Sequence, residues 1–135
     1  MKPNDSKVMI DEFWSLLNEQ KWADIEKLLS DDFEAILPQS REKFDRDGFI
    51  ESNRNNPGPH KYEVQNLHHE EDRWDWIDTV VSEVIIKTET PDNENLNSFV
   101  ITVFEIQDER IMGITQYRAE SHAAPEWRKK WANSY

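Results

Sequence analysis

The chain is 135 residues long, carries 28 acidic against 16 basic side chains for a net charge of −12, and contains no cysteine. That length suits one domain, and Leu, Ile, Val and Phe supply 31 of the 135 residues, above the roughly 20% below which a charged chain stays disordered. The acidic balance repels phosphate backbones and anionic lipid, so neither nucleic acid nor membrane is an expected partner, and the lack of thiols excludes disulfide scaffolds, thiolate zinc sites and cysteine nucleophiles. No run approaches the roughly 20 apolar residues of a membrane span. Met1 to Lys7 lack the apolar run of a signal peptide, which points to the cytoplasm.

Between Ser6 and Gln20, Met9, Phe13, Leu16 and Leu17, flanked by Ile10 and Trp14, recur at three- and four-residue spacing and predict a helix with one buried face. Asn4, Asp5 and Ser6 offer N-caps. Trp22, Ile25, Leu28 and Leu29 repeat the spacing and stop at Ser30-Asp31-Asp32, giving a second helix. Phe33 to Leu37 reads as a strand closed by Pro38. Asp45 or Asp47 caps a third helix over Gly48 to Asn55, which Asn56-Pro57-Gly58-Pro59 ends, because proline has no amide donor and restricts its predecessor.

Beyond Pro59 the period changes to two. From Lys61 to Glu71 the alternation Tyr62, Val64 slips to Leu67, the mark of a β-bulge. Trp74 to Thr88 is rich in β-branched residues and follows a turn at Asp72-Arg73. Pro91 to Asn95 is a polar turn. Ser98 to Ile106 and Ile111 to Tyr117 are two further strands joined through Gln107-Asp108-Glu109-Arg110. Helices gathered early and strands late predict an α+β fold: a mainly antiparallel sheet with helices over one face, in a single domain spanning residues 1–135.

Four stretches match a known pattern. Leu28-Leu29-Ser30-Asp31-Asp32-Phe33 is similar to an acidic step into a first strand. Leu37-Pro38-Gln39-Ser40-Arg41-Glu42 with Arg46-Asp47-Gly48-Phe49 looks like a proline loop and third-helix entry. Arg110 to Tyr117 is similar to a last strand, and Ala124-Pro125-Glu126-Trp127-Arg128-Lys129-Lys130-Trp131 to a closing segment of a bacterial subgroup. Together with the element order they resemble the nuclear transport factor 2-like superfamily, SnoaL-like members included. The resemblance implies a cone in which a curved sheet wraps the helices around an apolar cavity, and relatives that pair through the sheet's outer face imply a homodimer.

Catalysis in such a cavity needs an inward carboxylate or histidine tuned by an apolar surround. The resemblance aligns the base of ketosteroid isomerase with Leu37 and its tyrosine donor with Phe13, and neither transfers a proton, so that isomerase chemistry is not expected. It turns Gln116 toward the pocket, where an amide orients a ligand rather than acting as a base; its bland alternative is to satisfy a neighbouring buried group. On strict alternation Met112, Ile114, Gln116 and Arg118 share one face of the last strand, and Ile111, Gly113, Thr115 and Tyr117 the other. Arg118 at a pocket mouth suits a carboxylate ligand; its bland alternative is a surface salt bridge.

His68 and His69 are adjacent on a strand and point to opposite faces, so only one is inside. A metal site needs three or four converging ligands, and no HExxH or EF-hand spacing exists, so neither metal nor cofactor is expected. Glu34, Glu83 and Glu105 lie in strands with apolar neighbours on their own side, which leaves their orientation open. Trp74 and Trp76 share a strand face and could wall a pocket. Trp127 and Trp131, four apart, fall on one side of a short helix, where ordinary packing is the expectation. The expected ligand-binding residues are Trp14, Trp74, Gln116 and Arg118, for a small apolar organic molecule bound by a SnoaL-like protein or enzyme. The alternative is a non-catalytic dimerisation or protein-interaction module.

Overall fold

The early apolar spacing builds α1, Pro3–Glu19, which buries Met9, Ile10, Phe13, Trp14, Leu16 and Leu17 along one side. The computed structural model describes residues 3–56, 59–71, 76–89 and 95–135. Helix α1 closes on Gln20, whose φ is 56°, while the Lys21 N–H reaches back to the Leu16 carbonyl at 3.0 Å. Helices usually place glycine in that left-handed position. Helix α2, Trp22–Leu28, follows and buries Ile25.

Strand β1 runs Leu29–Leu37, so it starts four residues before the expected Phe33. Leu29 is fully buried beside Ile111 of the last strand, and that non-local pairing takes it out of the helix. A short strand β2, Glu42–Asp45, was not expected; only Phe44 of its four residues is half-buried, which leaves no periodicity to read. Helix α3, Arg46–Arg54, is capped by Asp45, whose carboxylate accepts from the Gly48 N–H at 2.7 Å.

The remaining strands are β3, His60–Glu71; β4, Asp78–Glu89; β5, Asn95–Gln107; and β6, Arg110–Glu120. The sheet order is β2-β1-β6-β5-β4-β3, antiparallel throughout except where β1 runs parallel to β6. The predicted slip in β3 falls between Val64 and Asn66 and keeps Tyr62, Val64 and Leu67 against the core. Helix α1 lies on the concave side: Phe13 meets Phe104 edge-on at 5.3 Å, and Phe49 of α3 meets Phe33 of β1 at 5.3 Å. Two fused layers, helices over one face of a curved antiparallel sheet, are the expected α+β architecture.

Several expectations are corrected. Trp76 precedes β4 with φ 56° and 82% exposure, so it shares no strand face. Residues Pro57 and Gly58, the Asp72-Arg73 turn, Trp74 and the Pro91 to Glu94 turn lie outside the described residues. In β6 a register shift pairs Ile106 with Ile111 and Glu105 with Gly113, skipping Met112. Ile111 and Ile114 therefore both point inward, and Met112 leaves the face assigned to it by strict alternation. Trp127 and Trp131 sit on a 3-10 turn, Glu126–Trp131, each 73% exposed, rather than packed. No helix among the described residues is long and apolar enough to cross a membrane.

Candidate functional site

The inner faces of three adjacent strands place Ser82, Thr102 and Gln116 in one transverse row, because Ser82 pairs with Thr102 and Thr102 with Gln116. Period two explains the inward placement of these polar residues: each lies two positions from a buried apolar neighbour, Val80 or Val84, Val100 or Phe104, and Ile114. Ser82 and Thr102 are fully buried and must be hydrogen-bonded. The Trp14 indole donates to Ser82 Oγ at 3.2 Å, and Gln116 Nε2 donates to Thr102 Oγ1 at 3.1 Å.

Two residues further along β6, exposed Arg118 pairs with Val100, and its guanidinium donates to buried Ser98 Oγ at 3.0 Å. From the opposite wall Tyr62 stacks at a tilt on Trp14, ring centroids 5.5 Å apart. Burial pushes the Tyr62 phenol above its ordinary value, and the positive charge of Arg118 works against that rise. The two walls of the curved sheet thus bring a guanidinium and a phenol into electrostatic reach of one another. Asn18 of α1 fixes Tyr62 further: its amide donates to the Tyr62 carbonyl at 2.9 Å and accepts from its N–H at 2.7 Å.

Of the four residues singled out from the sequence, Gln116 and Arg118 share the inner face of β6 and Trp14 meets the inner face of the sheet from α1, whereas Trp74 lies outside the described residues. Sequence reasoning missed Tyr62, Ser98 and Thr102. The alternation of Ser98 and Thr102 with outward Phe99, Ile101 and Val103 was the available signal. Arg118 makes its bond to an inner-wall serine, not the surface salt bridge considered as its bland alternative.

The strand carboxylates resolve to the outer face: Glu34 pairs with Lys43 at 3.3 Å, Glu83 lies 3.5 Å from His68, and Glu105 is exposed. Of the adjacent histidines, His69 is the inward one. At the far end of the cone Ser6 Oγ donates to Asp78 at 2.7 Å, and His69 Nε2 stands 3.6 Å from the other Asp78 oxygen. That nitrogen is buried with no hydrogen-bond partner among the described residues. A nucleophilic triad has the hydroxyl on the imidazole; here Ser6 Oγ donates to the carboxylate. Among the described residues no group of three or more His, Asp or Glu could hold a metal ion.

No protein-family profile and no curated protein matches the sequence. Solved structures do match. The chain is similar to a candidate ketosteroid isomerase from Kribbella flavida, with a TM-score of 0.83 at 17% identity over 98% of this chain and 91% of that one. It is similar to an NTF-2 like protein of unknown function from Burkholderia xenovorans, TM-score 0.75 at 17% identity, covering 98% and 96%. It is also similar to the epoxide hydrolase/cyclase-like enzyme SalBIII of pyran-ring formation in salinomycin, TM-score 0.69 at 13% identity, covering 84% and 89%. The chain has the nuclear transport factor 2-like cone fold. The fold hosts unrelated chemistries, so function must be argued from the site.

Proposed function

We propose that the chain binds a small, largely apolar organic molecule bearing a carboxylate at the open end of the cone. The observation that carries this reading is Arg118, an arginine on the inner face of β6 whose guanidinium is held on buried Ser98 at 3.0 Å and whose charge acts on the Tyr62 phenol. A planar guanidinium with several donors suits a carboxylate, and one Nη on serine leaves the others to bind it. Gln116, one row deeper, orients the ligand's polar part, while Trp14 and Tyr62 supply its aromatic wall.

Binding is favoured over acid–base catalysis at Arg118 because Glu34, Glu83 and Glu105 face outward, Leu37 and Phe13 occupy the positions where the resemblance puts a base and a donor, and the inward pair His69 and Asp78 lies at the other end of the strands. Full burial of Phe13, Trp14, Phe33 and Phe104 favours a ligand seated at the mouth rather than deep among the helices. The same filled interior supports the second reading, a non-catalytic interaction module, since Phe99, Ile101 and Tyr117 stand about half exposed on the outer face.

Thermal shift with hydrophobic carboxylates, phenols and ketones tests the proposal. A carboxylate at one hundred times its Kd stabilises by about 2.7 kcal/mol. Arg118→Leu abolishes that shift, and Gln116→Ala weakens it. Equal shifts by carboxylates and matched ketones, or a shift indifferent to Arg118→Leu, overturn the assignment.

A further inference from the structure

The outer face of the sheet and the segment after Ser121 both expose large apolar side chains, and their chemistry is complementary. Phe99, Ile101 and Tyr117 lie on neighbouring strands, 47 to 50% exposed, and Ile36 of β1 extends the same face at 40%. Beside Ile36 is a cleft of about 180 Å³, floored by Met112 and Gly113 and rimmed by the carboxylates of Asp32, Glu34 and Glu105. It is smaller than the roughly 300 Å³ at which small-molecule pockets begin, and suits one large side chain. At Gly113 the two strands approach closely, since a Cβ there would stand 3.1 Å from the Glu34 carbonyl.

After Ser121, whose N–H donates to the Asn97 carbonyl at 3.0 Å, the chain leaves the sheet. Its last turn presents Trp127 and Trp131, each 73% exposed, with Arg128 5.7 Å from the first ring and Lys130 4.3 Å from the second. Arg128, Lys129 and Lys130 concentrate positive charge in a chain of net charge −12. Two indoles left in water are surface that association would bury. Trp and Arg, two and one of which stand in this turn, are among the residues most enriched at binding hot spots.

We propose that the segment Trp127 to Trp131 of one copy docks on the outer sheet face of a second copy, setting an indole in the Asp32–Glu34–Glu105 cleft and its cations against those carboxylates. Charge complementarity selects this occupant: the acidic body repels anionic lipid, whereas the cleft attracts the segment. Both indoles stand 73% exposed on their own chain, so neither is seated in that chain's cleft and the segment is left for a second copy. A copy packed with its strands antiparallel brings its Gly113 end to where this chain's β6 finishes. Glu34 is already paired with Lys43, but both are half exposed and such a pair exchanges at little cost. The inference is independent of the ligand reading, which concerns the opposite face of the sheet.

Sedimentation velocity on the full chain tests it. The wild type is expected to dimerise reversibly, more weakly at high salt. Arg128→Glu, Lys129→Glu and Lys130→Glu together, or Glu34→Lys with Glu105→Lys, weaken that self-association at least tenfold, with far-UV circular dichroism unchanged. Mixing the two charge-reversed chains restores dimers, because each segment then meets a cleft of opposite sign. A wild type that stays monomeric at high micromolar concentration overturns the proposal, as do a dimer indifferent to either reversal, a mixture that fails to associate, or monomers captured by anionic vesicles instead. In this cysteine-free chain the double variant Ile36→Cys with Lys129→Cys separates the remaining case: disulfides between chains support the docking, and a disulfide confined to monomers overturns it.

Discussion

The Trp14 indole N–H meets Ser82 Oγ at 3.2 Å and so ties the buried face of α1 to the floor of the sheet. Both side chains are almost wholly buried, so neither finds water as a substitute. Ser82→Ala strands a donor in the interior and is expected to cost about 1–3 kcal/mol in urea unfolding. In the double variant with Trp14→Phe, the cost of Ser82→Ala falls, because the stranded donor is gone. Additive costs in that cycle would show that the bond contributes nothing of its own.

The hairpin between β5 and β6 uses a two-residue loop, Asp108-Glu109, with φ of 52° and 62° between the paired residues Gln107 and Arg110. Both values lie in the left-handed region, as a type I′ turn requires, and glutamate is poorly suited to it. Asp108→Asn with Glu109→Gly supplies the preferred pair and is expected to add about 1 kcal/mol to stability. An unchanged or lowered melting temperature would contradict the turn assignment.

That turn also shows what the sequence could and could not reveal. A polar break between two β-rich runs announced a hairpin, but the strands reach Gln107 and Arg110 only because their partners are present. Likewise the spacing of Phe13, Leu16 and Leu17 announced α1, whereas Leu29 follows a helical pattern and is drawn into β1 by non-local pairing with Ile111. The bulge at Met112 defeated simple alternation, placing both Ile111 and Ile114 inside. Gln116 and Arg118 were legible because the last strand beyond the bulge alternates regularly. Tyr62 was read as core pattern alone, since nothing local shows that the sheet curves far enough to face it toward Arg118.

Two acids were candidate caps for α3, and the structure chooses between them: Asp45 accepts from the Gly48 N–H at 2.7 Å, while Asp47 makes a 3.7 Å surface pair with Arg46. Asp45→Ala is expected to lower stability by about 1 kcal/mol, and Asp47→Ala by less than half of that. Urea midpoints of the two variants check the order; a larger loss at Asp47 reverses the assignment.

Tyr62 links the candidate site to alkaline stability. Burial holds its phenol above the ordinary value of 10.0, with Arg118 opposing. The unfolded chain therefore loses this proton first as pH rises, and between the two values it binds fewer protons than the folded chain. Stability is thus fully present below about pH 10 and falls as pH climbs through the folded value. Tyr62→Phe removes this component, so the loss of stability as pH rises above about 10 should be smaller in the variant than in the wild type. Arg118→Leu removes the opposing charge and raises the phenol further, which steepens the alkaline loss only while Tyr62 is present. If Arg118→Leu steepened it equally in the Tyr62→Phe background, the effect would belong to another group, and the guanidinium and phenol would not be coupled.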